Sequence, residues 1–286
     1  MDIGIGIPNS IRGTSGEQLI DWASRADRAG FSSLATIGAV AYPGYEELTV
    51  LGAAAAVTER IRLLPNVLIA PARSAAELAK QAATVDQLSG GRLTLGVGVG
   101  WRASDYELTG RDFDGRGARF DALLGDLRQA WAGEAIADDA RPPAPTPVQP
   151  ELPLLIGGTA DASIRRVVEF GVGWTAGGMP PDAVRDHADR VKAAWDDAAR
   201  DGEPRIVALV YFALGDTETQ SRDYLVDYYA PMGQGMAKMI ADSALRSEDD
   251  IKGAVDAYAG AGVDELVLDP TVADPAQVDW LAKVVL

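Results

Sequence analysis

The 286-residue sequence contains no cysteine and a single histidine, His187. Without cysteine the chain can form no disulfide bond, no thiolate metal site and no cysteine nucleophile. His187 lies in the polar stretch VRDHADRVK, which predicts an exposed position on a solvated helix. A lone surface histidine excludes both a Ser-His-Asp triad and a site with several histidine ligands. We therefore expect no bound metal and no chemistry that depends on a histidine side chain.

Basic residues are also scarce, because 26 Lys and Arg stand against 42 Asp and Glu, a formal net charge of −16. So acidic a surface disfavours nucleic acids and anionic membranes as partners. No apolar run approaches the roughly 18 residues that a membrane helix needs. The first ten residues, MDIGIGIPNS, lack the basic and apolar segments of a signal peptide. We therefore expect a cytoplasmic protein that binds neither nucleic acid nor membrane.

Strand-like and helix-like segments alternate along the whole chain. Continuous apolar runs flanked by helices are typical of buried parallel strands, and the chain length is ordinary for a closed barrel of eight βα units. The sequence thus predicts an α/β fold, a single (β/α)8 TIM barrel domain over residues 1–286, with a doubly wound open sheet as the alternative. The eight predicted strands cover residues 2–8, 31–37, 61–68, 93–99, 154–156, 172–176, 206–214 and 265–269.

Three insertions interrupt the βα rhythm. One follows strand 4, and another lies in the connection from strand 4 to strand 5. The latter connection includes residues 138–153, which contain six prolines. This proline-rich segment resembles a domain linker, but four βα units cannot close a barrel alone and the rhythm resumes after it. We therefore predict an extended excursion there, and a third insertion after strand 7.

Glycines surround predicted strand 4 in the sequence QLSGGRLTLGVGVGW, residues 87–101. Gly98, Val99, Gly100 and Trp101 fall at the C-terminal end of this strand, where barrel enzymes bind their ligands. Glycine weakens a strand, so its alternation here indicates that a flat or bulky ligand lies against the strand end. Two alternatives remain: the glycines let a crowded strand pack, or they form a dinucleotide-binding turn. That turn requires a third glycine at position 101, which is Trp101.

Two further glycine pairs follow predicted strands 5 and 6. Gly157, Gly158 and Thr159 enter a helix, and the free N–H groups of a helix start with a nearby hydroxyl form a phosphate-binding cradle. The alternative is an ordinary tight turn in which Thr159 caps the helix. Gly177 and Gly178 after strand 6 favour a phosphate or planar ring that lies across both strand ends.

With these residues placed, the chain resembles the bacterial luciferase-like flavin-dependent monooxygenase superfamily, which includes deazaflavin-dependent oxidoreductases. The resemblance implies a TIM barrel, commonly a homodimer, with a reduced flavin or deazaflavin across the strand ends. It also implies a non-prolyl cis peptide bond that supports the flavin ring, here Asn66–Val67 with Leu68 beside it. The matching motifs are AGFSSL (29–34), AVTERIRL (56–63), NVLIAPARS (66–74), LAKQAATVDQLSGGRLTLGVGVGW (78–101), LLIGG (154–158) and GVGWTAGG (171–178).

The sequence departs from its relatives at positions that supply protons. Many relatives have an acidic residue and a histidine after strand 2, where this chain has Gly38 and Ala39. Some deazaflavin relatives place a glutamate after strand 4, where this chain has Trp101. These departures favour chemistry that the flavin performs itself with O2, while the protein excludes water and orients the substrate.

The leading hypothesis is therefore an FMN-dependent monooxygenase that acts on a hydrophobic organic molecule. No Rossmann fingerprint is present, so a separate reductase is expected to supply the reduced flavin. A deazaflavin-dependent reductase or dehydrogenase is one alternative, and a flavin-binding protein without catalytic groups is another.

An apolar and aromatic pocket is expected around the flavin. Its candidate residues are Trp101, Tyr211 and Phe212, with Tyr42 and Tyr228 as further possibilities. Residues 227–239 hold three of the five methionines and suit either a mobile substrate wall or a packing corner between helices. Residues 102 and 105–107 could fix the flavin or substrate, or could form an exposed charged loop.

Overall fold

The structure is a computed structural model that describes residues 1–286. Nine strand segments form one sheet in the order β3-β2-β1-β9-β8-β7-β6-β5-β4, and every pairing is parallel. The segments are β1 (Asp2–Gly6), β2 (Ser33–Thr36), β3 (Arg62–Pro65), β4 (Leu68–Ile69), β5 (Leu95–Gly98), β6 (Leu154–Gly157), β7 (Gly173–Thr175), β8 (Arg205–Phe212) and β9 (Glu265–Pro270).

The two ends of this sheet meet beside Leu63. Its N–H group donates to the carbonyl oxygen of Arg92 at 3.0 Å, and its carbonyl oxygen accepts from Thr94 N–H at 2.9 Å. The predicted barrel is therefore confirmed, and the open doubly wound sheet is wrong. Strands on both sides of the proline-rich segment belong to the same barrel.

Predicted strand 3 is divided into β3 and β4. Between them the Asn66–Val67 peptide bond is cis, as the resemblance implied. β3 pairs with β2, whereas β4 pairs with β5, so the chain changes neighbours across this bond. The single strand predicted over residues 61–68 is wrong in this respect. The Asn66 N–H still donates to the Thr36 carbonyl oxygen of β2 at 2.7 Å, whereas from Leu68 onward the chain pairs with β5.

Eleven α-helices surround the barrel. Two short 3₁₀ turns lie at Ala70–Ala72 and Ala230–Met232. None of the helices has the length and apolar character needed to cross a membrane. The helices are α1 (Gly16–Ala29), α2 (Glu47–Ala55), α3 (Ala75–Ser89), α4 (Ala103–Leu108), α5 (Arg116–Trp131), α6 (Asp161–Phe170), α7 (Pro181–Asp197), α8 (Glu218–Tyr229), α9 (Gln234–Ser243), α10 (Glu248–Gly260) and α11 (Ala276–Val285).

Helix α4 lies in the insertion after predicted strand 4, a segment to which the sequence analysis assigned no helix. Two buried side chains anchor it to the barrel: Asp105 accepts from the N–H of Ala41 at 2.6 Å, and the Tyr106 hydroxyl donates to the carbonyl oxygen of Val99 at 2.5 Å. The other insertions lie where they were predicted, in the β5–β6 connection and after β8.

Apolar side chains fill both sides of the barrel wall. Inside it, Ala35, Leu64, Leu155, Val207 and Val267 from five strands form one small cluster. A cluster of 54 buried residues lies between the strands and the helices. Because side chains alternate along a strand, every second residue of β8 and β9 faces the interior. This alternation decides which residues reach the barrel mouth, the interior space at the C-terminal ends of the strands.

Candidate active site

The side chain of Val67 forms one wall of the barrel mouth. A Cβ atom at Gly98 would lie 3.0 Å from Val67 Cγ2, and one at Gly157 would lie 3.2 Å from Val67 Cγ1. A Cβ atom at Gly96 would lie 2.2 Å from the Pro65 carbonyl oxygen. These three glycines therefore make room for Pro65 and Val67. This agrees with the alternative that the glycines let a crowded strand pack. Val67 itself is half-buried, so it remains available at the mouth.

Two buried polar side chains face the upper interior of the barrel with an unpaired atom. Asn66 Oδ1 accepts from the Thr175 hydroxyl at 2.6 Å, but Asn66 Nδ2 has no hydrogen-bond partner. Asp269 is 2 % exposed, and its Oδ2 has no partner either. A Cβ atom at Gly6 would lie 1.7 Å from Asp269 Oδ1, so glycine is required beside this carboxyl group. Burial raises the pKa of Asp269 well above its usual range.

Aromatic side chains extend over the mouth between the ends of β5 and β8. Trp101 stacks on Tyr229 with ring centroids 6.3 Å apart, and the Tyr229 and Tyr211 hydroxyl oxygens lie 2.6 Å apart. Tyr228 packs edge-on against Tyr229 at 5.0 Å. We call Trp101, Tyr211, Tyr228 and Tyr229 the aromatic roof. Burial raises the pKa of Tyr211, and it raises that of Tyr229 to about 12, so both hydroxyls remain protonated at neutral pH.

Arg102 fixes the roof to the loop after β5. Its Nη2 donates to the Tyr228 carbonyl oxygen at 2.9 Å, and its guanidinium lies 4.7 Å from the Trp101 ring centroid and 5.0 Å from that of Tyr228. Arg102, Asp105 and Tyr106 are buried, so only Glu107 fits the alternative of an exposed charged loop.

Phe212 does not line the mouth, and the prediction that it does is wrong. Tyr211 and Phe212 are consecutive on β8, so their side chains point to opposite faces of the strand. Tyr211 packs in a cluster with Tyr224 and Tyr228, whereas Phe212 is fully buried in the large cluster outside the barrel wall.

His187 is also misplaced by the sequence prediction. It is 5 % exposed on α7, with its ring centroid 4.4 Å from that of Trp174. The residues around it are charged, but the helical period places His187 in line with Val184, Val191 and Trp195 on the buried face.

The start of α6 has the backbone features of the predicted phosphate cradle. Thr159 is exposed and does not cap the helix, since Ala160 is the N-cap residue and offers no side-chain acceptor. Gly158 adopts a φ of 108°, which disfavours any other residue. Its carbonyl oxygen is turned inward and accepts from Ser163 Oγ at 2.9 Å and from Trp174 Nε1 at 2.8 Å. On the adjacent β7 side, Gly177 is half-buried and Gly178 is exposed.

The methionine-rich segment, residues 227–239, divides into two parts. Tyr228 and Tyr229 belong to the roof, whereas Met232, Met236 and Met239 are exposed on the 3₁₀ turn and α9. The segment is thus the corner between two helices, with its tyrosines turned towards the mouth.

Two cavities open beside the roof, and Tyr42 lines both. One of about 820 Å³ is bordered by Arg12, Tyr224 and Asp227, and one of about 510 Å³ is bordered by Glu47 and Arg73. None of the predicted cofactor-binding glycines lines either cavity.

Glu47 is a buried acid at the mouth that sequence reasoning missed. A Cβ atom at Gly38 would lie 2.6 Å from both Glu47 Oε1 and the Val67 carbonyl oxygen. Gly38 therefore makes room for a carboxyl group that arrives from α2 and pairs with Arg73. Burial raises the pKa of Glu47 despite this pairing. Its position in the sequence YEEL gave no signal, because a glutamate in the first turn of a helix is ordinary.

These groups fit a flavin-type cofactor. A planar ring with carbonyl oxygens and ring nitrogens can pair with the unpaired atoms of Asn66 and Asp269. The half-buried Val67 and the aromatic roof supply apolar contacts for such a ring, and the open start of α6 suits a phosphate.

Comparisons with known proteins agree with this geometry. Residues 1–283 match the luciferase-like monooxygenase family. An uncharacterised protein of Mycobacterium tuberculosis strain H37Rv is 32 % identical over 253 residues, which cover 76 % of this chain and 86 % of that protein. The FMNH2-dependent dimethylsulfone monooxygenase of Pseudomonas putida is 26 % identical over 225 residues, 73 % of this chain and 61 % of that enzyme.

The fold also matches solved structures. An F420-dependent secondary alcohol dehydrogenase, solved with an F420-acetone adduct, superimposes with a TM-score of 0.80 over 99 % of this chain and 98 % of that chain, at 15 % identity. F420 is a deazaflavin, so relatives of this fold use either FMN or a deazaflavin. Because the family match extends over nearly the whole sequence, the chain belongs to the luciferase-like monooxygenase family.

Proposed function

We propose that the protein is a monooxygenase that uses reduced FMN and O2 to oxidise a hydrophobic organic substrate. Members of its family are flavin- or F420-dependent oxidoreductases and monooxygenases. The observation that carries the narrower proposal is the aromatic roof, in which protonated tyrosines and Trp101 cover a mouth that has an apolar wall at Val67. Such a site excludes water, which oxygen chemistry at a flavin requires.

The proposed binding residues form two groups. The ring group supplies the apolar wall and the unpaired donor of Asn66, and the phosphate group supplies backbone N–H groups at the open start of α6. The ring group is Asn66, Val67, Leu68, Gly98, Val99, Gly100 and Trp101, and the phosphate group is Gly157, Gly158, Thr159, Gly177 and Gly178. Leu68 contributes only its backbone, because its side chain is fully buried in the large cluster outside the barrel wall.

When bound, reduced flavin would supply the electrons that activate O2. The protein binds the flavin, orients the substrate and shields both from water. Trp101, Tyr211 and Tyr229 form the surface that excludes water, and their rings offer apolar contact to a hydrophobic substrate. Both hydroxyls remain protonated at neutral pH, and since one donates to the other, the pair keeps one O–H group that can donate a hydrogen bond to a substrate oxygen.

The proposal also includes partners. The sequence carries no dinucleotide-binding fingerprint, so a separate reductase supplies the reduced flavin. The active form is proposed to be a homodimer, as the family resemblance implies.

Glu47 favours a second candidate, a deazaflavin-dependent reductase or dehydrogenase. Hydride transfer to a carbonyl substrate also consumes a proton, and Glu47 is a buried acid with a raised pKa beside Gly38 at the mouth. The dehydrogenase structure with the F420-acetone adduct has the same fold.

One experiment tests both candidates. The protein is mixed with FMN and, separately, with F420, each in reduced form, and absorbance and O2 consumption are recorded against the free cofactor. Tight binding of reduced FMN, with O2 consumption that yields oxidised product from a panel of hydrophobic substrates, supports the monooxygenase. Tighter binding of F420 with O2-independent oxidation of the cofactor by carbonyl compounds identifies the second candidate. Binding without turnover in either case contradicts both and indicates a flavin-binding protein.

A further inference from the structure

Asp269 combines deep burial with an unpaired oxygen atom at the upper interior of the barrel. It is the register partner of Tyr211 across the β8–β9 pair, so both side chains project to the same face beneath the roof. The glycine at position 6 leaves space that Asp269 Oδ1 fills, and any larger residue would displace it. A buried carboxyl group without a partner is costly unless a ligand or water satisfies it.

No cation neutralises this carboxyl group. The only cause of its raised pKa is burial, and the titratable groups that respond to it are Tyr211, Tyr224 and Tyr229, which are uncharged at neutral pH. The nearest acid on the same strand face, Glu265, pairs with Arg205 at 2.6 Å at the opposite end of the barrel. Burial without a neighbouring cation therefore favours the uncharged form of this carboxyl group, which can donate a hydrogen bond as well as accept one.

We propose that Asp269 is a cofactor-binding residue whose uncharged carboxyl group donates a hydrogen bond from Oδ2 to a carbonyl oxygen of the cofactor ring. Asn66 Nδ2 is a second unpaired donor in the next interior layer, since Asn66 and Asp269 follow Leu64 and Val267 of the inner cluster by two residues each. Together the two donors match a ring edge that bears acceptor atoms. FMN and deazaflavins share such ring carbonyls, so the assignment holds for either cofactor. It rests on the proposed function only in requiring a flavin-type ring at the barrel mouth.

Flavin affinity measured against pH tests the role of Asp269. Quenching of flavin fluorescence gives the Kd of riboflavin, which carries the ring without the phosphate, and of FMN. For the wild-type protein the Kd of riboflavin stays constant at low pH. It rises as the pH passes through the raised pKa of Asp269, because the ionised carboxylate has no proton to donate and repels a carbonyl oxygen.

Two substitutions separate charge from shape. Asp269→Asn keeps the size and a hydrogen-bond donor, so riboflavin should bind within a few-fold of the wild type with no loss of affinity at high pH. Asp269→Leu removes the donor and should weaken binding about tenfold at low pH, the loss expected for one buried hydrogen bond. Glu265→Gln is the matched control, since it removes a buried carboxylate from the same strand face at the far end, and it should keep the wild-type pH profile.

A second readout does not require any ligand. The infrared difference spectrum of wild type minus Asp269→Asn at neutral pH should show the carbonyl band of a protonated carboxylic acid, and this band should shift when riboflavin binds. An absent band, a pH profile that persists in Asp269→Asn, or equal riboflavin affinity in a folded Asp269→Leu protein would overturn the assignment. Those results leave the proposed function standing, whereas wild-type protein that binds no flavin at any pH overturns both.

Discussion

Trp101 closes the roof from the β5 side and is the residue whose loss should most directly admit water. Trp101→Ala removes the ring that stacks on Tyr229, so water can reach the reacting oxygen. We expect less product per O2 consumed and more hydrogen peroxide, while oxidation of the reduced flavin continues. The ratio of product to O2 consumed measures this effect.

Trp280 provides a matched control for that experiment. Both tryptophans are 39 % exposed, but Trp280 lies on α11, where it packs near Gly215 outside the mouth. Trp280→Ala should keep the wild-type product yield. An unchanged yield in Trp101→Ala would instead show that the roof does not shield the reaction.

His187 should make stability sensitive to acid, although we expect it to take no part in the reaction. Burial, assisted by the positive charge of Arg190, lowers its pKa below the usual 6.5. The folded state then binds fewer protons than the unfolded chain, so stability is fully present above about pH 6.5 and is lost as the pH falls towards the lowered pKa. His187→Phe keeps an aromatic ring against Trp174 and should abolish this loss.

Urea unfolding of both proteins between pH 7.5 and 5 measures the difference, and the single histidine gives one proton NMR signal that titrates with it. Turnover of His187→Phe should stay within a few-fold of the wild type, because α7 is an outer helix. Parallel loss of stability in the two proteins would refute the linkage to His187.

At the scale of elements, the start of α6 can be tested through Thr159. Gly158 is a poor choice for substitution, because its positive φ would strain any replacement. A loss of affinity could then result from a disturbed fold rather than from a lost contact with the ligand. Thr159 is exposed, so Thr159→Val removes one hydroxyl with little effect on stability. We expect FMN to bind roughly ten- to a hundredfold more weakly, the loss of one hydrogen bond to a charged group, and riboflavin to bind unchanged.

Isothermal titration with each flavin measures that selectivity. Thr219→Val, at an equally exposed threonine in the first turn of α8, is the control and should change neither affinity. If Thr159→Val weakens both flavins alike, or neither, the phosphate does not lie at α6.

The helices and strands could mostly be predicted from the sequence, because each shows the pattern of apolar residues that its backbone geometry requires. Apolar runs between helices gave all eight strands of the barrel and the positions of its insertions. The division at Asn66–Val67 came only from family resemblance, since no propensity signals it. Helix α4 was missed because its stability comes from contacts of Asp105 and Tyr106 with distant segments rather than from its own sequence.

The candidate site could be predicted less well from the sequence. It depends on which face of a strand each side chain projects from, and on which distant segments pack over the barrel mouth. Tyr211 and Phe212 are equivalent in sequence, and only the strand register separates them. Tyr229 joins the roof by stacking on Trp101, and Arg102 fixes the roof by a hydrogen bond to Tyr228; both contacts join residues more than a hundred positions apart. His187 could have been placed correctly, since Val184, Val191 and Trp195 already mark its side of α7 as apolar.

For the whole molecule, the excess of negative charge should make stability depend on salt. The net charge of −16 produces repulsion that is long-ranged at low salt, whereas most ion pairs are exposed and contribute little. Screening should therefore raise the melting temperature by a few degrees between about 10 mM and 150 mM NaCl, over which the Debye length falls from roughly 30 to 8 Å. Calorimetry in NaCl, with sucrose at equal osmolality as control, measures the change. A lower melting temperature would mean that the ion pairs outweigh the repulsion.

The aromatic roof also has a consequence for the time course of synthesis. Tyr229 follows Trp101 by 128 residues in the sequence. At 5–20 residues per second the ribosome needs roughly 6 to 26 seconds to add them. β9, which joins β1 to β8, is made only after Tyr229, so the barrel is incomplete throughout this interval and we expect the Trp101 ring to stay accessible to water. Oxidative footprinting of Trp101 in ribosome-bound chains stalled before β9, compared with the released protein, would show whether the roof closes only when the barrel is complete.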